Sequence, residues 1–302
     1  MMQRRIIYLV NPISGTANKS RLLKEVAACT QEKNIPFDIF HTNAANDYAA
    51  LRETIISRRI TDVVIIGGDG TFSGVAGALL DMDIQFGIIP MGSGNGLARS
   101  GHIPVVTKKA IDLLFTGTAV AVDGMMINDR FSCMLCGIGF DAQVAHDFSK
   151  QPKRGLLTYV RVALRNFFGA KHYPFTIKSS AQTITTDAFF ISVANSNQFG
   201  NNFTIAPQAS LQDGLLDVVI VKKMSKWLLP FEVLGQVAGI NALQELDDRI
   251  NRKNIVYFQA AELTIENQQR APLHIDGDPF QHAPEYTIRV LPKAFRLILP
   301  SV

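Results

Sequence analysis

The chain has 302 residues, 47% of them hydrophobic and 19% charged, with a formal net charge of +4. That length supports two domains of ordinary size, and the balance of apolar to charged residues excludes a disordered chain. The sequence pI near 8.9 favours a nucleotide or an anionic membrane surface over a basic partner, yet falls short of the cationic density of a nucleic-acid binder. In chain order, Arg5 to Val10 reads as a strand, Lys19 to Lys33 as a helix carried by Leu22, Leu23, Val26 and Ala27, and Phe37 to His41 as a short strand. Ala45 to Arg58 reads as a helix, and Asp62 to Ile66 and Phe86 to Ile89 as strands. These strands are apolar on both faces and alternate with helices, which predicts a parallel sheet covered by helices, with ligands at the carboxyl ends of its strands. Ahead of Asn11-Pro12, Arg4-Arg5 is followed only by Ile6 to Val10, which is shorter than an export core, and no run of roughly 18 uncharged apolar residues occurs. A cytoplasmic protein that meets membranes peripherally and transiently is expected.

Three polar, glycine-bearing loops follow the predicted strands: Asn11-Pro12-Ile13-Ser14-Gly15, Gly67-Gly68-Asp69-Gly70-Thr71, and Pro90-Met91-Gly92-Ser93-Gly94-Asn95-Gly96. Glycines allow positive φ and close approach of the backbone, so free N–H groups can face an anion, and the apolar stretch Val75 to Leu80 can start a helix whose dipole adds attraction. Asp69 is then expected where a metal-nucleotide arrives. Glycine-rich turns also serve as plain tight connections, so the convergence of three loops on one edge carries the nucleotide argument.

From about Met125 the pattern changes. Phe131 to Gly139, Phe175 to Lys178, Ala188 to Ala194, Leu215 to Val221, Ile255 to Gln259, Glu262 to Glu266, Leu273 to Ile275 and Tyr286 to Leu291 are short and β-rich, as in an antiparallel sandwich or barrel. Two helices are expected among them, Leu156 to Phe168 and Trp227 to Ala242. The cysteines Cys29, Cys133 and Cys136 form no disulfide framework. Cys133-x-x-Cys136 has redox or half-zinc spacing without a second pair, and small apolar core residues are the plainer reading. The six histidines show no metal-binding spacing. His274 alone lies beside a turn of chemical interest.

Asn11-Pro12-x-Ser14-Gly15, Gly67-Gly68-Asp69-Gly70-Thr71, Pro90-x-Gly92-Ser93-Gly94-Asn95-x-Leu97-Ala98, Asp213-Gly214-Leu215-Leu216-Asp217 and Asp276-Gly277-Asp278-Pro279 occur in this order. Together they resemble the diacylglycerol kinase catalytic-domain family, which includes bacterial lipid kinases and sphingosine kinases. Gly-Gly-Asp-Gly alone also admits NAD kinases and phosphofructokinases. The resemblance implies an α/β plus β fold: a three-layer α/β ATP-binding domain over residues 1–124, joined by a returning strand within 293–302, and an antiparallel β-sandwich acceptor domain over 125–292. It implies ATP and Mg²⁺ as cofactors and a lipid substrate met at a membrane surface, with no nucleic-acid partner. Oligomeric state stays open, a homodimer included.

By the same resemblance, Asn11, Pro12, Ser14, Gly15, Gly67, Gly68, Asp69, Gly70, Thr71 and Ser73 surround the ATP phosphates, with Gly92, Ser93 and Asn95 close by and Thr42 at the nucleotide. No Walker-type loop is present, so backbone N–H groups carry more of the phosphate binding, with Lys19 or Arg99 as candidate charges. The Asp213 turn resembles a magnesium site made of one carboxylate and the carbonyls of Ser210 and Leu215, an oxygen-only set that suits a hard cation. An ordinary Asp-Gly turn is the alternative. A lipid hydroxyl needs a carboxylate base in line with the γ-phosphorus, and Asp276 and Asp278 are both candidates, with Asp69 as a third catalytic carboxylate. Members of the family usually carry Asp-Gly-Glu here, so Asp278 draws the acid back by about one C–C bond, roughly 1.5 Å. Gly96 likewise departs from the Asp common in bacterial diacylglycerol kinases and looks more like the loop of sphingoid-base and ceramide kinases.

Diacylglycerol is the first acceptor expected, then a sphingoid base or ceramide, then NAD; a catalytically weak nucleotide-dependent lipid sensor is the reading outside catalysis. Candidate walls of a lipid cleft are Tyr159, Val162, Ala163, Asn166 and Phe167 with Arg161, Arg165 and Lys171 nearby, and Trp227 to Phe231 after Lys222, Lys223 and Lys226. Buried core is the other reading of both stretches.

Overall fold

The computed structural model describes residues 3–15, 19–42, 47–152, 156–167, 169–200, 203–204, 206–222 and 255–301. The helix expected over Trp227 to Ala242 lies outside them. The chain divides into one unit of Met1–Val122 with Lys293–Val302 and a second of Asp123–Pro292.

The first unit runs β1 (Ile6–Val10), α1 (Lys19–Glu32), β2 (Phe37–His41), α2 (Ala49–Arg58), β3 (Asp62–Gly67), α3 (Asp69–Ala78), β4 (Gln85–Pro90), α4 (Gly96–Ser100) and α5 (Thr107–Thr116). β1 pairs in parallel with β2 and β3, and β3 with β4. The lateral order is therefore β2-β1-β3-β4, and the chain turns from one side of β1 to the other between β2 and β3. That reversal leaves a crevice beyond the carboxyl ends of β1 and β3, the general ligand position of such sheets.

The central strands β1 and β3 are buried on both faces, which is why they are apolar without alternation. On one face Ile6, Tyr8, Val10, Val64 and Ile66 pack with Leu22 and Val26 of α1 and with Ile111 and Leu114 of α5. Tyr8 closes this layer through its hydroxyl, 2.7 Å from Thr30 Oγ1. Burial of the Tyr8 ring pushes its phenol up to about 12. Phe72 of α3, Phe86 of β4 and Phe295 form a second aromatic cluster with ring centroids 5.5–5.8 Å apart.

At the amino edge of β3 the fully buried Asp62 accepts from Arg4 Nε at 3.0 Å, from Gln85 Nε2 at 2.7 Å and from Thr61 Oγ1 at 2.5 Å. Removing the guanidinium strands a charge that burial makes costly. Arg4→Met is therefore expected to lower stability by about 3 kcal/mol, read as a shift of the urea midpoint at unchanged slope. A shift within the scatter of replicate melts refutes the assignment.

The second unit contains β5 (Thr118–Ile127, from Asp123), β6 (Arg130–Ser132), β7 (Leu135–Gly139), α6 (Phe140–Ser149), α7 (Leu156–Phe167), β8 (Tyr173–Ser179), β9 (Thr183–Ala194), β10 (Gln198–Gly200), β11 (Phe203–Thr204), β12 (Leu216–Lys222), β13 (Ile255–Ala260), β14 (Glu262–Glu266), β15 (Leu273–Ile275), β16 (Asp278–Phe280) and β17 (Glu285–Leu299), the last crossing back into the first unit at Lys293. Among the described residues its strands pair antiparallel. β9 is shared: residues 190–194 lie between β7 and β12, while residues 183–188 pair with β8. β13 extends the first set, and β14 and β17 extend the second. A single long strand thus joins both sets of pairings.

The structure departs from the sequence pattern in three places. The apolar run Phe131 to Gly139 is two strands, broken at Cys133-Met134, where the Met134 N–H turns to Ser132 Oγ at 3.2 Å. The run after Gly139 is a helix, because Gly139 at φ +100 redirects the chain. Tyr286 to Leu291 and Phe295 to Leu299 are one strand, in which Lys293 takes a φ of +53. Within the first unit, Arg296 and Leu297 of that strand pair in parallel with Gln85 and Phe86 of β4. Cys133 and Cys136 are buried thiols that form no disulfide, and desolvation pushes the Cys136 thiol far up, so they are core and not redox residues.

Candidate functional site

The loops expected to meet a nucleotide lie at the carboxyl edge of the parallel sheet. The Asn11 N–H donates to Ile66 O at 3.0 Å and the Met91 N–H to Gly67 O at 2.8 Å, so the loops after β1, β3 and β4 leave the sheet side by side. Asn11 Nδ2 bridges to Thr71 Oγ1 at 2.7 Å, which ties the first loop to the second. The third loop meets the second at two glycines: a Cβ on Gly92 would lie 2.8 Å from Gly68 Cα. Backbone against backbone has no room to yield, so glycine is required there. Pro12, Gly15 and Ser93 are exposed on these loops and Ser14 is half-buried, whereas Ser73 is buried in the second turn of α3. The Thr42 N–H donates to Val10 O at 2.9 Å and so brings Thr42 to the same edge. Lys19 Nζ donates to Pro12 O at 2.5 Å and Arg99 Nε to Gly94 O at 3.2 Å, placing one cation on each outer loop.

Asp69 behaves differently from the sequence expectation. α3 begins at Asp69 itself, not at Val75. Its carboxylate accepts the Gly96 N–H at 3.0 Å on Oδ2 and the Leu97 N–H at 3.1 Å on Oδ1. The acid expected among the catalytic residues thus caps the first turn of α4, joining the second loop to the third.

The second unit carries the other candidate groups. Asp213 Oδ1 accepts the Leu215 N–H at 3.0 Å, and Ser210 Oγ accepts the Gln212 N–H at 3.3 Å, which folds residues 210–215 into a compact turn. The Gly214 N–H donates to Asp123 Oδ2 at 2.8 Å. Asp123, which sequence reasoning passed over, therefore adds a second carboxylate to this turn from 91 residues away. Among the described residues no group of three or more His, Cys, Asp or Glu converges. An oxygen set this sparse fits Mg²⁺, which keeps several of its waters, and does not fit a metal needing a full protein cage.

Just beyond the turn, Asp217 is fully buried in β12 beside Tyr257 and Gln259. Burial, with the Asp213 charge adding to it, pushes its carboxyl up to about 6. An unfolded aspartate titrates near 4, so the folded chain holds the extra proton between about pH 4 and pH 6. Stability from this group is therefore present below that window and is lost as pH rises through it, on the order of 2–3 kcal/mol in all. Asp217→Asn keeps an acceptor for Tyr257 and removes the titration. It is expected to melt higher than the parent at pH 7.5 and alike at pH 4; equal melting points at both would refute the shift.

Asp276 and Gly277 form the two-residue turn of the hairpin between β15 and β16, with φ of +52 and +84. That is the Asp-Gly hairpin turn with positive φ at both positions. Asp276 Oδ1 accepts Ser132 Oγ–H at 2.6 Å and the Leu135 N–H at 3.2 Å, so this carboxylate fastens the hairpin to the β6–β7 bend. Asp278, two residues on, is exposed at the start of β16. The structure thus separates two acids that sequence alone left equivalent. Ser132 gave no sequence signal, since its partner is 144 residues distant.

A cavity of about 540 Å³ opens between α6 and α7, lined by Phe140 and Val162 and by Asp147, Lys150, Arg165 and Lys171. Val162 and Phe167 of the expected lipid wall are buried. Tyr159 packs its ring on Phe148 at 5.6 Å, and desolvation raises its phenol far above the ordinary range. The opposite side of α7 exposes Leu157 (84%) and Leu164 (37%). No helix among the described residues is long and apolar enough to cross a membrane.

Comparison with known proteins places this geometry in a family. Residues 5–127 match the diacylglycerol kinase catalytic domain, and residues 135–299 match the YegS C-terminal NAD kinase beta sandwich-like domain. A probable lipid kinase YegS-like of Shewanella frigidimarina is 27% identical over 252 residues, 81% of this chain and 78% of that one. A diacylglycerol kinase of Bacillus subtilis is 24% identical over 283 residues, 92% of this chain and 90% of the other. The crystal structure of a diacylglycerol kinase from Bacillus anthracis shares the fold, with a TM-score of 0.73 at 20% identity, over 99% of this chain and 98% of that one. The chain belongs to the diacylglycerol kinase-like family of lipid kinases, with the catalytic domain in residues 5–127 followed by a YegS-type β-sandwich in residues 135–299.

Proposed function

We propose that the protein transfers the γ-phosphate of ATP to the hydroxyl of diacylglycerol, with Asp278 as general base. The observation that carries this reading is the contrast within one turn: Asp276 is held by two protein donors while Asp278 is exposed. A carboxylate oxygen turned inward onto two protein donors is directed away from a substrate, whereas an exposed carboxylate can meet a substrate hydroxyl. In the reaction the hydroxyl proton passes to Asp278, the oxygen bonds to the γ-phosphorus, and the bond to the β–γ bridging oxygen breaks, releasing ADP. The three glycine loops hold the phosphates through main-chain N–H groups, with Lys19 and Arg99 on the loops supplying positive charge.

Asp213 and Asp123, with the carbonyls of Ser210 and Leu215, would hold Mg²⁺, which when bound offsets phosphate charge. The α6–α7 cavity and the exposed Leu157 and Leu164 suit a lipid taken from a bilayer surface, with Lys150, Arg165 and Lys171 toward anionic head groups. Contact with the membrane is then peripheral and transient, from the cytoplasm. Labelled ATP and Mg²⁺ offered with diacylglycerol, sphingosine, ceramide or NAD in separate reactions test the assignment. Labelled phosphatidic acid is the expected product. Label in a sphingoid base or ceramide reassigns the acceptor, label only in NAD overturns the lipid reading, and intact ATP binding without transfer makes the protein a sensor.

A further inference from the structure

Beneath the Asp276–Asp278 turn lies a polar pair that the chemistry above does not use. His274 is fully buried in β15, and its Nε2 lies 3.3 Å from Oδ2 of Asp141, itself 6% exposed in α6. On its other side the ring faces the turn: the Gly277 N–H donates to His274 Nδ1 at 3.2 Å. An Nδ1 that accepts carries no proton, so Nε2 carries it and donates to Asp141. Asp141 Oδ1 is buried with no hydrogen-bond partner. A half-satisfied buried carboxylate is unfavourable for folding, and an apolar pair at these positions would be the better choice for stability alone.

Room for the pair is made by a third residue. Gly137 of β7 stands directly across from His274 in register. A Cβ there would lie 2.1 Å from Asp141 Oδ2 and 2.5 Å from His274 Nε2. Helix, strand and glycine therefore combine to bring one acid against one imidazole, whose far nitrogen holds the amide next to the proposed base.

We propose that Asp141 and His274 are positioning residues for phosphoryl transfer: Asp141 fixes the tautomer and orientation of His274, and His274 Nδ1 pins the Gly277 amide so that Asp278 is presented in one geometry. This deepens the kinase reading and rests on Asp278 as base. A loosely held base costs turnover and leaves nucleotide binding alone, since misplacement affects the reacting geometry and not the ground-state complex.

Two substitutions separate positioning from stability. In His274→Gln the amide nitrogen reaches the place of Nε2, so the contact to Asp141 is kept and the acceptor for Gly277 is lost. In His274→Asn the amide oxygen takes the place of Nδ1, so Gly277 keeps its acceptor while Asp141 loses its donor. His274→Gln is expected to melt near the parent, to exchange the Gly277 amide proton faster, and to lose about tenfold in kcat at unchanged KM for ATP. His274→Asn is expected to melt lower yet keep slow Gly277 exchange and most of kcat. If fold integrity alone matters, the less stable variant is the less active, and that order overturns the proposal. Equal Gly277 exchange in the parent and His274→Gln overturns it as well. Asp278→Asn, assayed beside them, separates the two readings: full turnover there removes the base, whereas full turnover in His274→Gln beside an inactive Asp278→Asn removes only the positioning role.

Discussion

Asp278→Asn is expected to lower kcat by about 10²–10⁴-fold, the usual range for removing a general base, with the melting temperature unchanged. The side chain is exposed on a three-residue strand, and surface substitutions of that kind shift stability by no more than about 0.5 kcal/mol. Asp276→Asn is the informative partner. Asparagine tolerates the positive φ of +52 at this position and keeps an Oδ1 that can accept from Ser132 and Leu135. Asp276→Asn should therefore retain most of its activity, and Asp276→Ala should lose activity together with stability, because both donors of the β6–β7 bend are released. Single-turnover phosphate transfer with parallel melting curves reads all three. An active Asp278→Asn enzyme beside an inactive but folded Asp276→Asn enzyme would move the base role to Asp276.

The second large effect is expected at Asp69. If its carboxylate joins two phosphate-binding loops, Asp69→Ala releases the amides of Gly96 and Leu97, bonds to a charged acceptor worth about 1.5–3 kcal/mol each. The loops then separate at the Gly68–Gly92 approach, and affinity for ATP should fall by at least about 10²-fold together with the melting temperature. Asp69→Asn keeps one acceptor oxygen and is expected to fall between the two. Calorimetric ATP titration and thermal melts give the test. A variant that binds ATP normally, melts normally and has lost only kcat would return Asp69 to the catalytic residues.

Much of the first unit's fold was legible in sequence because its determinants are local. β1 and β3 follow from short runs buried on both faces, and each strand hands directly to its own glycine loop, so the loops reach one edge as soon as the strands are parallel. The same logic did not reveal the partners of Asp69. A carboxylate after Gly-Gly looks poised for a ligand, and only the position of α4, 27 residues on, turns it inward as a cap. Periodicity likewise located most sandwich strands but not the Ser132–Met134 bend or the helix after Gly139, since an apolar run reads alike whether it continues straight or turns.

What the sequence determined by itself is the family, the α/β plus β fold class and the places of the glycine and Asp-Gly turns, because motifs and strand patterns are written in neighbouring residues. What the tertiary structure decided is which donors surround each acid in those turns. Asp276 is a fastener because Ser132 reaches it from 144 positions away, Asp123 joins Asp213 across 91, and His274 meets Asp141 across 133. A carboxylate's chemistry depends on the donors around it, and those donors arrive by sheet register and helix placement, which no local pattern encodes.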